Sequence, residues 1–213
     1  MIMDNIDKDK GKVASIVAIG TSTGGPKALQ EVVPLIPENI MATFLIVQHM
    51  PAGFTKSLAD RLNAMSKVKV KEAEHNEILK NSHVYIAPGD YHMRILKESG
   101  SIFRINLTKD PPISGLRPSV NIMMESVADT EIKKVVGVIM TGMGGDGSEG
   151  VKKLKQKNDA YIIAQDESSS VVFGMPKVAI QTGAVDIVVP LKEITNEIIR
   201  IVGVHNNGYE SIP

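Results

Sequence analysis

Residues 1–12 are charged and show no usable period, and hydrophobic patterning begins at residue 13. Residues 13–19 (VASIVAI) form a continuous, largely β-branched run, the pattern of a strand buried on both faces. The run stops at Gly20-Thr21-Ser22-Thr23-Gly24-Gly25-Pro26. KALQEVVPLI then reads as a helix, with Pro26 suited to its first turn. Residues 42–47 (ATFLIV) predict a second buried strand, closed by Gln48-His49-Met50-Pro51, and residues 53–65 a second helix. A short strand is expected near 84–87. Two alternating runs joined around Glu98-Ser99-Gly100 predict a β-hairpin over 91–107.

From Ser119 the alternation of helix and strand resumes. A helix to about residue 128 leads to a strand at 135–140, the glycine-rich stretch 141–150, and a helix to about 157. A strand at 160–164, a helix near 176–182, a strand at 186–190 and a helix at 191–202 complete the pattern. Strands alternating with helices predict an α/β fold: a doubly wound, mainly parallel sheet with helices on both faces, the hairpin being an insertion. One domain over 13–203 is expected, between flexible tails at 1–12 and 204–213.

Composition narrows the chemistry. Hydrophobic residues make up 43% of the chain but aromatics only 4%, so the core must be built mainly from Val, Ile, Leu, Met and Ala. With 24 Lys+Arg against 24 Asp+Glu, the chain lacks the cationic excess of a general nucleic-acid binder. The absence of cysteine removes thiol nucleophiles, disulfides and thiolate metal sites. No apolar run reaches the roughly 20 residues that span a bilayer, and residues 1–12 hold no apolar signal core. A cytoplasmic protein without membrane insertion is the expectation.

Gly20-Thr21-Ser22-Thr23-Gly24 matches G-x-S-x-G between a strand and a helix, the context in which a sharp turn presents a serine hydroxyl above a sheet. The bland alternative is a Gly/Ser turn that only caps the helix. His49 directly follows a strand and His92 lies in Ala87-Pro88-Gly89-Asp90-Tyr91-His92; either is a candidate base, and each taken alone reads more naturally as structural. His75 and His83 read as surface residues and His205 belongs to the tail. The histidine spacing suggests no metal site.

Gly142-Met143-Gly144-Gly145-Asp146-Gly147 satisfies the dinucleotide fingerprint G-x-G-x-x-G, with Asp166 or Glu167 as the acid beyond the next strand. That is the rival function, an oxidoreductase. It is weakened by Gln165, which intervenes before the acid, and by Asp146, which would set a negative charge against a phosphate. A non-catalytic docking module is a further alternative. Taken together, Ser22, His49 and Asp146 each lie just past the C-terminal end of a predicted parallel strand, on the rim where ligands bind. One rim carrying a hydroxyl, an imidazole and a carboxylate fits nucleophile, base and orienter.

The motifs GTSTGGP, QHMPAGFT, APGDYHM, LRPSV, TGMGGDG and VVFGMPKVAIQTGAVD, in this order and spacing, resemble the catalytic domain of chemotaxis receptor methylesterases. These are the CheB-type protein-glutamate methylesterases/glutamine deamidases, and the resemblance runs from about residue 13 to 202. It implies Ser22 as nucleophile, His49 as base, Asp146 as orienter, the Met143 amide as an oxyanion donor and Thr23 in the oxyanion and substrate-binding region. It also places the motif of His92 near the site. The implied reaction is hydrolysis of glutamyl γ-methyl esters on the cytoplasmic helical bundle of chemoreceptors, releasing methanol, with glutamine deamidation by the same machinery. No metal or cofactor is implied, and a monomer is expected. The usual member carries an N-terminal phosphoacceptor receiver domain, whereas twelve residues precede the first strand here. An excised domain or a stand-alone form, active without a phosphodonor, is the corresponding expectation.

Overall fold

The computed structural model describes residues 12–204. The tails expected at 1–12 and 204–213 fall outside it apart from their innermost residues, as does His205. The elements follow the alternation read from the pattern. Strand β1 (Ile16–Thr21) is followed by helix α1 (Gly25–Val32), β2 (Thr43–Gln48), α2 (Phe54–Met65), β3 (Lys69–Glu72) and β4 (His83–Ile86). The hairpin β5 (His92–Ser99) and β6 (Ile102–Thr108) leads to α3 (Val120–Ala128), β7 (Val135–Ile139) and α4 (Ser148–Asn158). Then come β8 (Tyr161–Gln165), α5 (Gly174–Gln181), β9 (Ile187–Val189) and α6 (Ile194–Val202).

Seven strands form one sheet in the order β3-β4-β2-β1-β7-β8-β9, and every neighbouring pair is parallel. The strands of β1 and β2 are buried throughout, as their continuous apolar runs require. Side chains alternate across β1. Ile16 and Ala18 join the core beneath α3, α4 and α5, while Val17 and Ile19 join the core beneath α1, α2 and α6. Full burial of each such Val or Ile side chain stabilises the fold by roughly 1.5–3 kcal/mol. Both faces of the sheet are therefore covered, as a doubly wound fold demands.

From β1 the chain moves to one side through β2 and later to the other through β7. Strand order thus reverses beside β1, and such a switch point opens a crevice at the C-terminal ends of the strands. The hairpin stands outside the main sheet as its own antiparallel pair. It buries Met93, Ile95, Phe103 and Ile105, and the Ile95 amide donates to Ser126 Oγ of α3 at 2.9 Å. Its structural effect is to brace α3 against the sheet.

Three elements differ from the pattern reading, one of them the helix expected at 191–202, whose first residues Leu191–Glu193 form a tighter turn before α6 begins at Ile194. Strand β3 was not anticipated; its Lys-Val-Lys alternation is that of a half-exposed edge strand, which β3 is. The helix after Pro26 ends at Val32, and a tighter turn covers Val33–Leu35. Pro34 lacks the N–H and crowds the preceding turn, so the α-helix cannot continue through it. No helix among the described residues is long and apolar enough to cross a membrane.

Candidate active site

Ser22 sits in the turn between β1 and α1, half-buried. Its amide donates to the Thr141 carbonyl beyond β7 at 3.0 Å. Its carbonyl accepts from Gly25 N at 2.8 Å and from the buried Gln48 amide at 3.0 Å. The sharpness of the turn explains its glycines. Gly24 adopts φ +83°, a left-handed conformation that costs glycine little, and a Cβ on Gly25 would stand 1.9 Å from Gln48 Oε1. The capping alternative fails here, because Gly24 is the N-cap of α1 and no side chain caps that helix. Thr23 is exposed, and its carbonyl accepts from Thr141 Oγ1 at 2.9 Å.

β2 ends beside β1 with Gln48 in register with Thr21, and the His49 amide donates to the Thr21 carbonyl at 3.2 Å. His49 therefore leaves the sheet next to the Ser22 turn. Its Nε2 lies 2.8 Å from Asp146 Oδ2, with the two side chains 9% and 7% exposed. An ionised carboxylate can only accept, so Nε2 carries the proton and Nδ1 the lone pair. This reverses the ring-nitrogen usage of the familiar triad, in which Nδ1 faces the acid.

Asp146 precedes α4, yet its carboxylate lies at the N-terminus of α3. Oδ1 accepts from Ser119 Oγ at 2.9 Å and from Asn121 N at 3.0 Å, while Oδ2 accepts from Val120 N at 2.6 Å as well as from His49. These bonds occupy both oxygens and satisfy two of the amides that a helix start leaves without partners. Burial by itself would push the carboxyl up. The bond from His49 and those from the Asn121 and Val120 amides outweigh it and hold Asp146 below the usual aspartate range. Gly20 makes the approach possible, since a Cβ there would lie 2.4 Å from Val120 Cγ1.

The glycine-rich loop after β7 is pinned at its start: Gly142 N donates to Val172 O at 2.9 Å and Gly142 O accepts from Met175 N at 2.8 Å. A Cβ on Gly142 would lie 2.8 Å from Ser22 Cβ, so this loop runs directly against the nucleophile turn. The Met143 side chain projects from it, 73% exposed. On the other side, His49, Met50, Pro51, Leu116, Arg117 and Pro118 line a depression of about 310 Å³.

The dinucleotide alternative does not survive this geometry. The amides of Gly147 and Gly150 at the start of α4 donate to Asn121 Oδ1 at 2.9 and 2.8 Å, so they are already engaged where a pyrophosphate would need them. Asp166 is likewise held by its own loop, through Ser168 Oγ and the Ser169 amide.

His92 is fully buried behind the site rather than in it. Its Nδ1 accepts from the Ser119 amide at 3.3 Å and its Nε2 donates to the Pro111 carbonyl at 3.2 Å. His75 is exposed, as expected, and accepts from the Leu107 amide. His83 is half-buried rather than a plain surface residue: its Nδ1 donates to Asn81 O at 2.9 Å and its ring stacks on Tyr85. The residues that pattern reading did not single out are Gln48, Ser119 and Asn121. Ser119 carried a signal as a serine opening a helical run, but nothing local reveals that its partner is a loop 27 positions away.

The family model described as CheB methylesterase matches residues 17–198. The chain is 47% identical over 189 residues to the protein-glutamate methylesterase/protein-glutamine glutaminase of Geobacillus kaustophilus, covering 89% of this chain and 54% of that protein. It is 52% identical over 186 residues to the correspondingly named protein of Halalkalibacterium halodurans, covering 87% and 53%. The chain thus spans about half the length of the curated relatives it matches. Among solved structures, the Thermotoga maritima CheB methylesterase catalytic domain superposes with a TM-score of 0.84 at 43% identity, over 90% of this chain and 99% of that one. A likeness that runs through the sheet, the turns and nearly the whole of that domain leaves one assignment: the chain belongs to the CheB methylesterase family.

Proposed function

We propose that residues 13–203 form a catalytic unit that hydrolyses glutamyl γ-methyl esters on the cytoplasmic helices of chemoreceptors. Ser22 is the nucleophile, His49 the general base and Asp146 its orienter. The observation that carries this reading is the 2.8 Å bond from His49 Nε2 to Asp146 beside the Ser22 turn, which leaves Nδ1 to take a proton.

In this reaction Ser22 Oγ attacks the ester carbonyl as its proton passes to His49 Nδ1. Asp146 holds the ring in the required tautomer and stabilises the imidazolium. Backbone amides of the two glycine-rich loops, including that of Met143, face the oxyanion, each donor being worth about 2.7–4 kcal/mol in comparable sites. The tetrahedral intermediate collapses, methoxide leaves with the proton from His49 as methanol, and an acyl-enzyme on Ser22 remains. Water, deprotonated by the same imidazole, releases the glutamate. The depression beside His49 takes the residues that flank the target side chain, and Thr23, exposed next to the nucleophile, contacts the substrate.

The same steps applied to a glutamine side chain would release ammonia, a reading favoured by the glutaminase activity in the names of the relatives. The test is methanol release from methylated receptor membranes incubated with this chain alone. Release that disappears in Ser22→Ala supports the proposal. No release by the folded protein, or equal release by Ser22→Ala, overturns it.

A further inference from the structure

We infer that Ser119 is a positioning residue for this reaction, acting through Asp146 on His49. The inference rests on the triad proposed above and adds a residue that the triad alone does not require.

Two helices start at the same place and exchange their caps. Asp146, from the loop that opens α4, accepts from the Val120 and Asn121 amides at the start of α3. Asn121, from α3, accepts through Oδ1 from the Gly147 and Gly150 amides at the start of α4. Asp146 cannot swing without undoing bonds on both helices. These bonds hold the carboxylate itself, through one backbone donor on each oxygen, and His49 adds a second donor on Oδ2 alone.

Ser119 supplies the matching second donor on Oδ1. Its hydroxyl donates to Oδ1 at 2.9 Å, on the oxygen that His49 does not use. Each oxygen thereby accepts two donors, which balances the negative charge between them and keeps Oδ2 aimed at His49. Ser119 is itself held from behind: it is fully buried, and its amide donates to His92 Nδ1 at 3.3 Å. His92 in turn donates to Pro111 O, which fixes its tautomer and leaves Nδ1 as an acceptor. A chain of hydrogen bonds thus runs Pro111–His92–Ser119–Asp146–His49, ending on the base.

The bland account is that Ser119 only caps α3. Its Oγ does lie 3.5 Å from Ile122 N, at the limit of a hydrogen bond, whereas the Asp146 bond is short. Ser119→Gly separates the two accounts, because glycine is nearly as good an N-cap as serine but has no hydroxyl. Ser119→Thr restores the hydroxyl.

With a γ-methyl-glutamyl peptide as substrate, Ser119→Gly lowers kcat roughly tenfold while KM stays within about twofold, a loss inside the range that misplaced reacting groups produce. The proton NMR resonance of His49 Nε2–H moves downfield, since a carboxylate with one donor fewer accepts more strongly from the imidazole. Ser119→Thr returns both readouts to the wild-type values. If Ser119→Gly changes only the melting temperature, with kcat and the Nε2–H resonance as in wild type, Ser119 is merely a cap and the inference is overturned. The NMR readout needs no turnover, so it judges the positioning role even if Ser22→Ala proves as active as wild type and the esterase reading falls.

Discussion

The side-chain amide of Gln48 donates to the Ser22 carbonyl at 3.0 Å and to the His49 carbonyl at the same distance. One buried group at the end of β2 thereby sets the spacing between the nucleophile turn and the base. Because both partners are carbonyls, the nitrogen of the amide must face them. Its oxygen is packed against Gly25 and has no hydrogen-bond partner in the described structure. Gln48→Leu should leave the strand intact while removing both donors. The Ser22 carbonyl keeps the Gly25 amide, and the His49 carbonyl loses this donor. Expected outcomes are a stability loss of about 1–3 kcal/mol by urea unfolding and a fall in kcat of about tenfold or more from misalignment. A wild-type kcat in the folded variant would show that the spacing is set elsewhere.

Asp146→Asn tests the carboxylate more severely than in a triad whose acid meets only the histidine. An amide nitrogen must point at groups that are themselves donors, whether Val120 N and His49 on one side or Asn121 N and Ser119 on the other. The variant should lose on the order of 10⁴-fold in kcat, as expected from the wrong histidine tautomer. It should also lose about 1–3 kcal/mol of stability, because a backbone N–H is left unsatisfied. Kinetics together with urea unfolding measures both; a variant as stable as wild type would contradict the described bonding of Asp146.

The fold should weaken in mild acid because of His92. Burial lowers its pKa below the ordinary value of 6.5, and the Pro111 carbonyl opposes this only in part. His83 is shifted the same way, again chiefly by burial. A histidine depressed in the folded state binds fewer protons there than in the unfolded chain. Its contribution is therefore fully present above pH ~6.5 and is lost as pH falls through the folded-state value. Asp146 is depressed as well, but its contribution is lost only at lower pH, below the ordinary aspartate value of 3.8. The melting temperature should decline between pH 7.5 and 5, and His92→Asn should show a shallower decline. A melting temperature that holds steady across that range would contradict the neutral, hydrogen-bonded His92 described above.

Much of this was legible in the sequence because the informative signals are local. Buried parallel strands announce themselves as unbroken Val/Ile runs, and each functional loop directly follows one. Ser22, His49 and Asp146 could therefore be set on one rim by topology alone. The ring-nitrogen assignment of His49 could not be read, since it depends on the angle at which β2 delivers the side chain to Asp146. Nor could the exchange of caps between Asn121 and Asp146, which pairs positions 25 apart in the chain. His92 looked as eligible as His49 because both sit in proline- and glycine-flanked turns. The structure distinguishes them by partners and access: His49 meets the Asp146 carboxylate and borders the open depression, whereas His92 has no exposed surface and spends both ring nitrogens on backbone groups.

A serine-directed fluorophosphonate is the most direct test of the Ser22 hydroxyl as the nucleophile. The reagent should form one adduct, located by mass spectrometry on Ser22, with methanol release falling in proportion to labelling. An adduct on another residue that abolishes activity, or full activity after complete labelling of Ser22, would contradict it.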